Sequence, residues 1–316
     1  MSTPEAAGSQ TLGALYTTLA MLAVAVMAAL VKWASLAVST ELLMVLRWVV
    51  GLLIFVSLYM FFRTGVVVRT ERPGLQALSA FFWTASIFAY YVSLRFLPML
   101  EATLLLNTGS LFAPLIARVL AGERQAPLAW FANGVGFVGV IIALDPGEAV
   151  FQPAALLGLL AGFLMAGRVY VNRLLGPHEP AERTTFYSLA GGLVVCLLAF
   201  AVAGFPVRDW VGHMFTPAER MDRWLTDGAM IAGTLTLGVL TMAQTLWSAA
   251  GLRHASVGAI APFRYSAVVF AAIIDFVVWD HVPQPSAWIG FAIIFLSAMA
   301  LLRIPKPADV PAGAGD

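Results

Sequence analysis

The stretch Leu75–Leu94 reads LQALSAFFWTASIFAYYVSL, twenty residues without one charge. A helix of that length reaches across the ~30 Å hydrocarbon core of a bilayer. It is not evenly apolar. Ser79, Trp83, Ser86, Tyr90 and Ser93 recur at spacings of four, three, four and three, which puts all five on one helix face. Lipid offers no hydrogen-bond partners, so that face must meet protein or water. Two readings follow: the face lines a cavity, or the serines let a neighbouring helix approach closely while the aromatics fill gaps.

The rest of the chain agrees with a membrane setting. Of 316 residues, 60% are hydrophobic and 11% charged, and the mean hydropathy is +0.87. A soluble domain carries about 25% charged residues, so the soluble, disordered and fibrous classes are excluded. A net charge of +1 leaves no footprint for nucleic acid. Cys196 is the only cysteine, which allows neither an internal disulfide nor a thiolate metal cluster.

Ten windows are long and apolar enough to be spans: 11–31, 40–62, 75–94, 99–120, 127–144, 154–173, 183–204, 228–250, 257–279 and 285–303. Breakers such as Arg72-Pro73-Gly74, Asp145-Pro146-Gly147 and Gly176-Pro177 separate them. Period-2 alternation is absent and the apolar runs are too long for a β-barrel. The expected fold is an all-α membrane protein with ten transmembrane helices. Residues 1–10 are expected to form a polar tail before a retained first span, and 304–316, rich in Pro, Gly and Ala, a disordered one. The connection 205–227, with Trp210, Phe215 and Trp224 among charges, reads as an interfacial segment.

With both termini in the cytoplasm, the inner side carries eleven Lys and Arg residues, Arg168 among them, against five outside. That bias is the positive-inside rule. It predicts a multi-pass protein of a bacterial-type inner membrane.

Sliding the chain on itself reveals a repeat. A shift of 158 places Leu94-Arg95 on Leu252-Arg253, Phe112 on Phe270, Pro127 on Pro285 and Trp130 on Trp288. A shift of 141 places Glu41 on Glu182 and Gly51 on Gly192. The expected domains are therefore a five-helix repeat over 11–147 and a second over 148–303. Five is odd, so the second half enters the membrane in the opposite sense, around a central cavity.

The stretch from Leu94-Arg95-Phe96-Leu97-Pro98 through Pro114 to Gly122-Glu123 resembles the fourth-helix signature of the EamA-type drug/metabolite transporters. The second copy, Leu252-Arg253 to Asp280, resembles it more weakly, with His281 where the signature has Glu. The resemblance implies ten helices in two inverted halves. It also implies transport of amino acids, nucleotide-like metabolites, cofactors or drugs, often outward. The members most similar in architecture include exporters of aromatic amino acids.

The 158 shift carries the stripe of the third window onto Leu237, Thr241, Gln244, Ser248 and Gly251, so two related helices present polar groups at matching depth. Asn107 on the fourth window faces Tyr265 on the ninth under the same shift. The expected substrate-binding set is Arg47, Ser79, Trp83, Ser86, Tyr90, Asn107, Thr241, Gln244, Ser248 and Tyr265. Arg47 lies inside the second window, where a charge must find water, a partner or the interface. There it binds a carboxylate or phosphate, or snorkels. Asp275 is the only acid well inside a window. It is a site for a coupling proton, or a partner for Arg47 or Lys32. Arg264, near the inner end of its span, reads equally as an anchor or as a functional group. Gly134, Gly136 and Gly139, with Gly158 and Gly162, suggest close helix packing.

Enzyme readings lack support. The four histidines have no metal-ligand spacing, and there is neither a P-loop nor a nucleophile elbow. No cofactor or metal is expected. The expected function is a secondary transporter of small organic metabolites, most simply an exporter of amino acids including aromatic ones. Alternatives are uptake of a cofactor-like metabolite of the S-adenosylmethionine type, efflux of cationic drugs, or a membrane-embedded enzyme. The expected partners are the substrate and membrane lipid, with the chain a monomer or weak homo-oligomer.

Overall fold

The computed structural model describes residues 4–35, 40–61, 69–122, 127–144, 153–176, 178–203, 228–255 and 257–303. Every element among them is an α-helix. The first six are α1 (Pro4–Ala34), α2 (Thr40–Phe61), α3 (Pro73–Ser93), α4 (Met99–Asn107), α5 (Gly109–Ala121) and α6 (Pro127–Ala143). The rest are α7 (Pro153–Leu175), α8 (Ala181–Ala203), α9 (Gly228–His254), α10 (Val257–Arg264), α11 (Ser266–Trp279) and α12 (Pro285–Arg303).

The sequence sets these boundaries. Proline opens α3, α6, α7 and α12, where a missing N–H costs nothing and φ is already helical. Gly122 ends α5 at φ 64° and Asp280 ends α11 at φ 54°. Both caps are left-handed, and the 158 shift superposes one on the other. Aspartate is among the few side chains that tolerate this region.

Seven segments among the described residues are long and apolar enough to cross a membrane: Gln10–Ala34, Leu42–Met60, Pro73–Ser93, Met99–Leu120, Pro153–Leu175, Gly228–Gly251 and Pro262–Trp279. The chain is thus an all-helical, multi-pass membrane protein. Ten windows were expected. Pro127–Ala143 and Pro285–Leu301 are shorter apolar helices, and α8 carries Glu182 in its first turn. The expected N-terminal tail is also largely helical, since α1 begins at Pro4. Glu123, Arg124, the turn 145–147, the connection 205–227 and the tail 304–316 lie outside the described residues.

Two of the expected spans are broken. Between α4 and α5, the Thr108 N–H bonds the carbonyl three residues back, at Leu105, instead of four. Between α10 and α11, the Tyr265 N–H does the same to Pro262. Such mid-helix tightening to 3₁₀ geometry marks hinges and sites. Pro114 in α5 and Pro262 in α10 each remove one further helical donor.

Around these breaks, α1 packs along α9 and α3 along α7; α2 touches α9, and α3 touches α8. α6 packs along α12, and α2 against α8. Close approach relies on glycine. A Cβ on Gly290 would lie 2.5 Å from the Gly139 carbonyl, and one on Gly162 would lie 2.6 Å from the Leu105 carbonyl beside the α4–α5 break. Gly134 has open space instead. The core centres on Trp48, Tyr90, Leu100 and Leu105, while Leu53, Met60, Phe131 and Val277 stay exposed, as lipid-facing residues do.

One connection is tightly tied. Glu179, between α7 and α8, accepts hydrogen bonds from the Thr70 hydroxyl, the Glu71 N–H (3.0 Å) and Arg183 (2.7 Å). Burial raises its pKa, but these bonds outweigh it and hold the carboxyl below the ordinary 4.5. The stability they supply is full above the ordinary value and is lost as pH falls through the lower folded one. Glu179→Gln should lower the melting temperature by a few degrees at pH 7. In a melting series the gap to the parent should close in acid below the ordinary value.

Candidate cavity between the broken helices

A cavity of about 230 Å³ opens where the two breaks face each other. Its wall includes Met21, Val24 and Met27 from α1, Arg47 from α2, and Trp83, Ile87, Tyr90 and Tyr91 from α3. Thr103 and Asn107 come from α4, Met165 and Arg168 from α7, Gln244 and Ser248 from α9, and Arg264 from the end of α10.

Arg47 is 2% exposed. Its Nε donates to Thr241 Oγ1 at 2.8 Å and its Nη1 to the Tyr91 hydroxyl at 2.6 Å. The guanidinium stands 5.1 Å from the Trp48 ring centroid. Trp48 in turn meets Trp83 edge-on at 4.8 Å, and Arg168 stacks on Trp83 at 3.7 Å. An unbroken series thus runs from Arg47 through Trp48 and Trp83 to Arg168, cations outside and indoles between. Each contact joins a ring quadrupole to a cation or to a ring edge.

Six of the ten expected binding residues line this cavity: Arg47, Trp83, Tyr90, Asn107, Gln244 and Ser248. Tyr90 shares a 2.8 Å hydrogen bond with Thr103, the Asn107 amide donates to the Thr103 carbonyl, and Gln244 donates to Ser248. Thr241 sits behind the wall, orienting Arg47. The other three serve packing. Ser79 donates to Asn172 at 2.6 Å and Ser86 to the Ala161 carbonyl at 2.7 Å, both on α7. Tyr265 reaches Ser110 at 2.8 Å, tying the two breaks together, with its ring against Phe295.

Asp275 lies away from the cavity, fully buried. One oxygen accepts from Lys32 at 2.6 Å and the other from the Met99 N–H at 2.9 Å. Pro98 precedes α4 and offers no side-chain cap, so Asp275 caps that helix from α11, where a carboxylate meets both the free N–H and the helix dipole. Lys32 also lies 4.7 Å over the Trp279 ring. These groups clamp α1, α4 and α11 together at one end of the molecule. Among the described residues, the partner half-helices α5 and α10 make no contact with each other as extensive as that of α4 with α11.

Sequence reasoning missed two arginines. Arg168 counts toward the cytoplasmic charge bias and Arg264 reads equally as an anchor, yet both line the cavity. Arg168 lies two turns before the end of α7, and that position inside its window was the available signal. Arg264 reaches the wall only because α10 stops there, which a continuous helix does not foretell.

Comparisons with known proteins agree with this architecture. Residues 152–303 match the EamA-like transporter family. The chain is 24% identical to a riboflavin transporter of Rhizobium johnstonii, over 92% of this chain and 91% of that protein. It is 24% identical to the pseudopaline exporter CntI of Pseudomonas aeruginosa, over 93% and 97% respectively. An S-adenosylmethionine uptake transporter of Rickettsia felis is 23% identical over 79% of each chain. One solved structure shares the fold with a TM-score of 0.61 at 20% identity, covering 91% of this chain and 95% of its own. Residues 152–303 are thus similar to the EamA-like transporter family, and the chain as a whole is similar along its length to bacterial transporters of small metabolites.

Proposed function

We propose that the chain is a ten-helix secondary carrier of small organic metabolites, built from two inverted five-helix halves that alternate access to the cavity. In this reading α4 with α5, and α10 with α11, are single broken spans, and the halves are 11–147 and 148–303. The observation that carries it is the placement of the cavity where two helix breaks meet, at positions that the 158 shift brings within one residue of each other, as in carriers built from discontinuous helices. Packing supports the symmetry. Exchanging the halves turns the α1–α9 contact into α7–α3, and α2–α9 into α8–α3, while α2–α8 and α6–α12 map onto themselves.

With both termini cytoplasmic, the end clamped by Asp275 faces outward and the cavity communicates with the cytoplasm. That state loads substrate for export. Amino acids, aromatic ones included, fit the wall: a carboxylate on Arg47 and a flat side chain on Trp83 or Tyr90. Similarity to cofactor carriers keeps uptake of a cofactor-like metabolite as the second reading. Three lining arginines disfavour cationic drugs. Asp275 is the carboxylate offered for a coupling proton.

The test is flux in proteoliposomes over a labelled panel of amino acids, riboflavin and S-adenosylmethionine. At least one should cross, and Trp83→Ala and Gln244→Ala should each cut its flux about tenfold or more while the protein stays folded. Normal flux in both variants overturns the site; no flux of any compound overturns the carrier.

A further inference from the structure

The cavity holds more positive charge than a single carboxylate can answer. Arg47, Arg168 and Arg264 come from three helices, and no Asp or Glu lies among the described lining residues. The buried acid nearest in role, Asp275, is already engaged by Lys32 and the Met99 N–H. Arg47 spends two donors on Tyr91 and Thr241. Arg168 spends its face on Trp83, and its buried Nε has no hydrogen-bond partner. Arg168 shares this wall with Arg264 and Arg47. Three cations on one cavity wall within a membrane-spanning bundle need water, a partner or the interface, and a substrate that displaces the cavity water must answer their charge in its place. A zwitterionic amino acid can place its carboxylate on one arginine but adds no net charge, so it answers only part of this wall.

Resting on the carrier reading above, we propose that the cavity is built for a substrate with at least two negative charges, a dicarboxylate or a phosphate monoester, attached to a flat apolar body. Guanidinium planes pair with carboxylate or phosphate oxygens in a bidentate manner, which ammonium groups do not. Arg168 and Arg264 hold the oxyanions, Arg47 orients them, and Trp83 and Tyr90 hold the apolar part.

The test uses the full chain in detergent and a set of probes that share one benzene ring: benzyltrimethylammonium, phenylalanine, benzoate, phthalate and phenyl phosphate. Affinity is read from thermal stabilisation, since a ligand that binds only the folded state raises the melting point. Phthalate or phenyl phosphate should bind about tenfold or more tightly than benzoate, and added KCl should shrink that ratio. Whichever dianion binds better separates a carboxylate pair from a phosphate. Arg168→Gln and Arg264→Gln should each reduce the dianion-to-benzoate ratio about tenfold, and Arg168→Lys should recover part of it. A structural role would weaken all probes alike and leave the ratio unchanged.

Dianions that bind no better than benzoate or phenylalanine, or that do not bind at all, overturn the proposal. Liposome flux of phenylalanine or benzyltrimethylammonium alongside that result leaves the carrier standing. If no probe and no metabolite of the wider panel crosses, the carrier reading itself falls.

Discussion

Arg47→Met should abolish transport more completely than any other single change in the cavity. The side chain is buried, and its donors hold the Tyr91 hydroxyl and Thr241 Oγ1, from α3 and α9. Methionine matches its apolar stem but returns neither hydrogen bond. Losing one member of a buried, charge-assisted set costs about 2–5 kcal/mol, so transport efficiency should fall about a hundredfold or more. Arg47→Lys should recover little, because one ammonium cannot satisfy two partners on different helices while lying over Trp48. Initial-rate flux at several substrate concentrations is the measurement. A loss below about threefold would remove Arg47 from the site.

The second large effect belongs to the clamp. Asp275→Leu leaves Lys32 without its carboxylate and the Met99 N–H without an acceptor. Removing one partner of a buried ion pair destabilises by about 3–5 kcal/mol, which should appear as a marked drop in melting temperature. Asp275→Asn is milder, since an amide oxygen can still cap α4 while the ion pair to Lys32 is gone. It should loosen the closed end while the fold survives. If Asp275 carries a coupling proton, Asp275→Asn should also abolish substrate accumulation driven by a pH gradient yet retain exchange.

The sequence made much of this legible. Because lipid imposes one strong constraint on each segment, hydropathy alone located the described helical segments to within a few residues, except that α1 starts seven residues before its window and two windows each hold two helices. The stripe on α3 was real but subdivided. At 100° per residue, Ser79, Ser86 and Ser93 lie along one edge of the stripe and Trp83 and Tyr90 along the other, roughly 60° apart at most between nearest heights. Ser79 and Ser86 on the serine edge meet α7, Ser93 turns back to the Tyr90 carbonyl, and the aromatic edge meets the cavity. Periodicity gives a face but not which neighbour stands on each edge of it. The breaks at Thr108 and Tyr265 were not legible. Pro114 lies six residues beyond the first and Pro262 three before the second, so neither proline marks its break. Without the breaks, Arg264 reads as readily as an anchor as a functional group. The trans cap by Asp275 joins residues 176 positions apart, a separation that no local pattern reports.

The central claim, that one cavity is reached from each membrane face in turn, can be tested by thiol accessibility. Ser248→Cys in a Cys196→Ala background places one thiol on the cavity wall. In right-side-out and inside-out vesicles, a membrane-impermeant maleimide should label it from the cytoplasmic face, and transported substrate should protect it. Adding Asp275→Asn should open labelling from the outer face as well. Labelling from neither face, or an outer face that stays closed in Asp275→Asn, would contradict the account.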